Sequence, residues 1–121
     1  MVRRIEVYVD GSGIGRICVA TEKKYFTVMT PAKTHNEAEY WAIIYALEMI
    51  STYEFVTIYS DSQLVVRQLN GEYSVKNVRL RKLHRRVREL ISQRGLDVEF
   101  VWIPREKNLA GALLDSELKR R

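Results

Sequence analysis

The pattern of apolar residues changes period near position 34, and that change commits the chain to a fold mixing sheet and helix. Residues 4–10 alternate, with Ile5, Val7 and Val9 on one face and Glu6, Tyr8 and Asp10 on the other. This is the period of a half-buried strand, ending at Asp10 ahead of Gly11-Ser12-Gly13. Residues 16–20 and 25–30 read as two more strands of an antiparallel meander, turning at Glu22-Lys23-Lys24. From Thr34 the spacing becomes helical. Thr34-x-x-Glu37 fits a capping box, and with no Gly or Pro inside it the helix is expected to run to about Tyr53.

Beyond it, residues 55–60 form a β-branched strand, residues 62–69 a helix stopped by Asn70-Gly71, and residues 78–93 a basic helix ended by Gly95. Residues 98–103, carrying Trp102, are a strand; residues 104–107 are a loop and residues 108–120 a last helix. The order is βββαβααβα. Strand–helix alternation after a meander implies parallel pairing. The expected fold class is α/β: a single domain over residues 1–121, with a mixed five-stranded sheet (three antiparallel strands, then parallel ones) flanked by helices.

Composition excludes several classes. Hydrophobic residues make up 46% of the 121, too many for a disordered chain. The longest apolar run, from Trp41 to Leu47, falls far short of a membrane span. The lone Cys18 lies in an apolar run and reads as a core residue. A soluble, cytoplasmic monomer is expected. The net charge of +5 is concentrated: eight basic residues and one acid lie between Lys76 and Arg94. Leu80, Leu83, Val87, Leu90 and Ile91 form a packing stripe on that helix, leaving its arginines outward.

Three acids stand where solubility does not need them. Asp10 closes the first strand and Asp61 closes strand 55–60. Glu39 shares a helix face with Ile43, Ala46 and Ile50. A carboxylate on a core-facing stripe is costly unless paired or metal-bound. Converging acids with no evident cationic partner attract hard divalent cations. Each also has a plainer reading: Asp10 as a turn residue, Asp61 as a helix cap, Glu39 as part of a cap with Asn36 or a partner of the helix dipole.

These residues resemble the ribonuclease H type 1 family. Tyr8-Val9-Asp10-Gly11-Ser12, Thr34-His35-Asn36-Glu37-Ala38-Glu39-Tyr40 and Tyr59-Ser60-Asp61-Ser62-Gln63 are similar to its first three motifs. Val75-Lys76-Asn77 and Trp102-Ile103-Pro104-Arg105-Glu106-Lys107-Asn108 match later segments, so the likeness covers nearly the whole chain in order. The resemblance implies a ribonuclease H-like fold and a two-metal site for Mg²⁺ or Mn²⁺. Asp10 would bridge both ions, Glu39 and Asp61 would hold one, and a fourth acid the other. It implies an RNA–DNA hybrid as partner: Gly11 and Ser12 at the RNA strand, Asn36 and Gln63 in the minor groove, and Thr34 on a DNA phosphate. His35 would be a further substrate contact. Lys76, Asn77, Arg81 and Arg85 would meet the DNA strand. Tyr73 and Trp102 are expected as core or boundary packing.

Three departures bear on function. The glycine-rich loop is short, Gly11-Ser12-Gly13-Ile14-Gly15. Arg105 stands in the loop where many members carry a mobile histidine, and is taken as a substrate contact. Gly111-Ala112 stand where the fourth acid is usual, so the candidate is Asp115, one turn on, beside a solvent-facing Glu117. The expected function is hydrolysis of the RNA strand of hybrids. The alternatives are a binding module with weak or lost turnover, and a broader nuclease that also cuts double-stranded RNA.

Overall fold

β1 (Ile5–Gly11) is the axis of the sheet. In the computed structural model, which describes residues 3–120, it pairs antiparallel with β2 (Arg16–Ala20) and parallel with β4 (Phe55–Ser60). β3 (Tyr25–Met29) extends the sheet antiparallel beyond β2, and β5 (Asp97–Trp102) extends it parallel beyond β4, giving the order β3-β2-β1-β4-β5. The helices are α1 (His35–Met49), α2 (Gln63–Leu69), α3 (Val78–Gln93) and α4 (Leu109–Lys119), with one 3-10 turn over Arg105–Lys107. The expected βββαβααβα order and mixed sheet hold.

The sheet is covered on both faces. Val7, Val9, Val56 and Ile58 pack with Ile43 and Leu47 of α1, and α3 closes that layer through Leu80, Val87 and Leu90. Leu83 and Ile91 are partly buried beside them, so the stripe read from sequence is the packed face. On the other face Cys18 and Ala20 of β2 meet Ala110 and Leu114 of α4. Burial pushes the Cys18 thiol up to about 12, which makes it a core residue without nucleophilic character. No described helix is long and apolar enough to cross a membrane.

α1 begins as expected and ends early. The Thr34 hydroxyl accepts from the Glu37 N–H at 3.1 Å, while the Glu37 carboxylate accepts from the Lys33 N–H and from Arg79 of α3. The helix stops at Met49 instead of continuing to about Tyr53. The stop is tertiary. Arg94, just past α3, donates to the Ile50 carbonyl, and the Tyr53 N–H donates to the Arg94 carbonyl at 2.9 Å. Tyr53 turns the chain with a φ of 61°, and its ring lies over Gly95, where a Cβ would come within 2.7 Å. No local residue in α1 signals this end.

Candidate active site

The register of β1 and β4 places the first two acids. Tyr8 lies opposite Tyr59, so two residues further along each strand Asp10 and Asp61 come level where the parallel pair ends. α1 supplies the third. At Gly11 an added Cβ would lie 2.5–2.8 Å from Ala38, so the helix rests directly on the strand backbone. Glu39, the next residue of α1, thereby reaches the strand ends. Its Oε2 accepts from the Gly11 N–H at 2.6 Å and its Oε1 from the Ser60 hydroxyl at 2.9 Å.

Asp10 and Glu39 are 1% and 0% exposed, a costly state for two neighbouring carboxylates. Burial, and then the charge of Asp10, hold the Glu39 carboxyl well above its usual range. Burial likewise raises Asp10, although Arg105 pulls it down. A cationic partner is therefore present, contrary to the expectation from sequence. Arg105 Nη1 lies 2.8 Å from Asp10 Oδ1 and 2.9 Å from Asp61 Oδ2, and its Nη2 lies 3.0 Å from Asp115 Oδ1. Close as it is, the contact to Asp10 is poorly directed: Asp10 Oδ1 is a buried atom with no aligned hydrogen-bond donor.

This donor set suits a hard divalent cation. Asp10 and Glu39 offer buried oxygens, one without a donor, and each offers a ligand atom within 4.8 Å of the other and of a His35 ring nitrogen. Asp61 stands ready on the Arg105 side, oriented by a 2.8 Å hydrogen bond from Asn108 Nδ2. The turn and cap readings of the acids lose ground: α2 is capped by Ser62, whose hydroxyl accepts from the Val65 N–H, and not by Asp61.

The remaining candidates fall into two groups. Asn36, Lys76 and Asn77 line one cleft with Gln68 and Tyr73, between the start of α1 and the start of α3. Asn77 also caps α3, accepting from the Arg79 and Leu80 N–H groups. Thr34 caps α1, and exposed Gln63 opens α2. The Ser12 hydroxyl is engaged across its own turn, donating to the Arg16 carbonyl at 3.0 Å. The basic helix is only partly free. Arg79 binds Glu37, Arg86 approaches Glu48 at 3.7 Å, Arg88 donates to the Leu69 carbonyl, and Arg81 folds back on the Val75 and Lys76 carbonyls. Lys82 is exposed on this helix, and so is Arg85.

Some supports had no clear signal in the sequence. Asn108 is buried and joins three elements: its amide donates to Val9 and to Asp61, and its oxygen accepts from the Ala110 N–H. Ser60 holds Glu39. Gly111, which stands where the fourth acid is usual, leaves room for Arg105: a Cβ there would lie 2.7 Å from Nη1. Glu117 does not face solvent. It pairs with Arg16 of β2 at 2.9 Å and accepts from the Thr27 hydroxyl at 2.7 Å, tying α4 to the sheet. Tyr73 and Trp102 are 46% and 43% exposed, so neither is a core residue. The Trp102 indole N–H donates to the Asp61 carbonyl at 3.1 Å.

Comparison with known proteins agrees with this fold. Residues 8–114 match the family described as reverse transcriptase-like. The ribonuclease HI of Halobacterium salinarum is 37% identical over 87 residues, which is 69% of this chain and 43% of that protein. The chain thus matches less than half the length of that relative. The crystal structure of RNase H1 from Halobacterium salinarum NRC-1 superposes with a TM-score of 0.79 at 26% identity, over 98% of this chain and 100% of that one. LC11-RNase H1, isolated from compost by a metagenomic approach and solved in complex with RNA/DNA hybrid, gives 0.77 at 29% identity, over 95% and 99%.

Proposed function

The chain belongs to the ribonuclease H type 1 family, and from that membership we propose that it hydrolyses the RNA strand of RNA–DNA hybrids as a metal-dependent endoribonuclease. The observation that carries this reading is the convergence of Asp10, Glu39 and Asp61 at the ends of β1 and β4, with Asp115 on the far side of Arg105. Those four acids are the residues that would hold two Mg²⁺ or Mn²⁺ ions. Bound there, the ions supply an activated water and stabilise the leaving oxygen of the phosphodiester.

The chain's own groups prepare that site. The Gly11 N–H and the Ser60 hydroxyl fix the Glu39 carboxylate, and Asn108 fixes Asp61, so the donor oxygens are set before substrate arrives. The hybrid lies across the cleft of Asn36, Lys76 and Asn77, with His35 and Gln63 nearer the acids and Thr34 at a DNA phosphate. Lys82 and Arg85 meet the DNA strand's phosphates electrostatically. We assign the described fold to one catalytic domain that acts as a monomer in the cytoplasm.

A second reading rests on the turn Ser12–Gly15. It offers few backbone groups to RNA 2′-hydroxyls, and Ser12 is already engaged with Arg16. Relaxed stringency, extending to double-stranded RNA, follows from it. The experiment is cleavage of a labelled RNA–DNA hybrid, duplex RNA and duplex DNA side by side, with Mg²⁺, with Mn²⁺ and with a chelator. Metal-dependent cutting of the RNA strand of the hybrid is expected. Cutting of duplex RNA at a similar rate supports the broader nuclease, and no cutting of any substrate overturns the enzyme reading.

A further inference from the structure

Arg105 touches every acid of the site except Glu39. Its Nη1 lies at 2.8 Å from Asp10 and 2.9 Å from Asp61, and its Nη2 donates to both oxygens of Asp115 at 3.0 and 3.1 Å. The guanidinium has a seat shaped for it. Gly111 lies directly beneath, and a Cβ at that position would stand 2.7 Å from Nη1 and 2.9 Å from the guanidinium carbon. The seat and the charge partners are independent features, one steric and one electrostatic, and both converge on the same group.

We propose that Arg105 is a built-in counter-cation, which fills the Asp10–Asp61–Asp115 side of the site in the metal-free protein and must leave it before a second divalent ion binds. The inference rests on the metal-site reading above and adds a competitor to it. A cation already among three carboxylates offsets their mutual repulsion, which a site with no internal cation must relieve by binding metal. Among the described ion pairs Arg105 does not reach Glu39, so an ion on the Glu39 side competes with it only for the oxygens of Asp10 and Asp61. An ion between Asp10 and Asp115 displaces it. The apparent affinity for that ion falls by the fraction of time the seat is empty, so occupancy of about nine-tenths weakens binding by about tenfold.

The test is direct binding of Mn²⁺ to the purified protein, followed by electron paramagnetic resonance without nucleic acid, together with metal-free melting temperatures. Arg105→Gln removes the competitor, and Gly111→Ala keeps the charge but takes away its seat. Both are expected to tighten the weaker class of Mn²⁺ sites by about tenfold, with the stronger class tightened less. Metal-free Arg105→Gln is expected to melt lower than wild type and to recover with Mn²⁺. Lys107→Gln, which removes an exposed positive charge from the same turn, is expected to leave affinity unchanged. Equal tightening by Lys107→Gln, or unchanged affinity in both test variants while wild type binds Mn²⁺, overturns the inference and leaves the metal site standing. No Mn²⁺ binding to any of the proteins overturns the metal-site reading itself, and the inference with it.

Discussion

The Gly11 N–H donates a 2.6 Å hydrogen bond to Oε2 of Glu39, so the last residue of β1 holds the acid delivered by α1. The bond exists because Gly11 has no side chain to keep the helix away. Gly11→Ala drives a methyl into the Ala38 backbone, and α1 must shift. The expected cost is about 1–3 kcal/mol of stability, the usual range for overpacking. Cleavage is expected to fall further than stability accounts for, because Glu39 moves with the helix. Melting temperature and single-turnover hybrid cleavage, measured on one preparation, separate the two effects; wild-type cleavage would mean the contact is incidental.

Asn108 makes a second test of the scaffold. Asn108→Ala removes a helix cap, at about 1 kcal/mol. It also removes one hydrogen bond from the Val9 carbonyl and one from the Asp61 carboxylate, which keeps its Arg105 donor, adding roughly 1–3 kcal/mol for the two bonds. A lower urea midpoint with an unchanged slope is the predicted signature. A midpoint equal to wild type contradicts the role given to this residue.

The acid pair dictates how stability follows pH. Asp10 and Glu39 bind their protons more tightly in the folded chain than in the unfolded one, chiefly through burial. Their contribution is fully present below the ordinary carboxylate range and is lost as pH rises through their raised folded values. Glu37 acts oppositely: burial pushes it up, but Arg79 and the Lys33 N–H hold it below its usual value, so its contribution is lost as pH falls. Comparing wild type with Glu39→Gln isolates the first effect. The variant is expected to gain in relative melting temperature as the metal-free proteins are taken from acid to neutral pH, and Mg²⁺ is expected to close the gap. A pH-independent difference contradicts the raised Glu39 carboxyl.

Neighbouring acids on α4 have different tasks. Glu117 anchors the helix through Arg16 and Thr27, so Glu117→Gln is expected to lower the melting temperature with intact chemistry in the folded fraction. Asp115 is 54% exposed and meets Arg105 alone among the described ion pairs, so Asp115→Asn is expected to leave stability nearly unchanged. Its kcat is expected to fall by about tenfold or more with KM little altered, the mark of a group acting mainly in the transition state. Reversed effects of the two variants contradict this division.

Much of this was legible in the sequence. The alternation over residues 4–10 placed Asp10 on a strand end, and the spacing of Glu39 to Ile43, Ala46 and Ile50 placed it on the buried face of α1. Both rest on periodicity, which a single element carries by itself. What stayed hidden depends on contacts between elements. Arg105 lies in a turn with no period, and its direction is set by the gap at Gly111. The end of α1 is set by Arg94 and Gly95, more than forty residues away. Helical phase alone turns Glu117 toward solvent, because it does not reveal that β2 and β3 offer Arg16 and Thr27 to that face.

The central claim is that Asp10 works as a metal ligand for phosphodiester hydrolysis. The most direct measurement is cleavage of a labelled RNA–DNA hybrid by wild type and Asp10→Asn in Mg²⁺ or Mn²⁺, with melting temperatures recorded on the same samples. The variant is expected to fold, to melt no lower than wild type because one buried charge is gone, and to leave the RNA strand uncut. Cleavage by Asp10→Asn at the wild-type rate would contradict the role of Asp10 as a metal ligand.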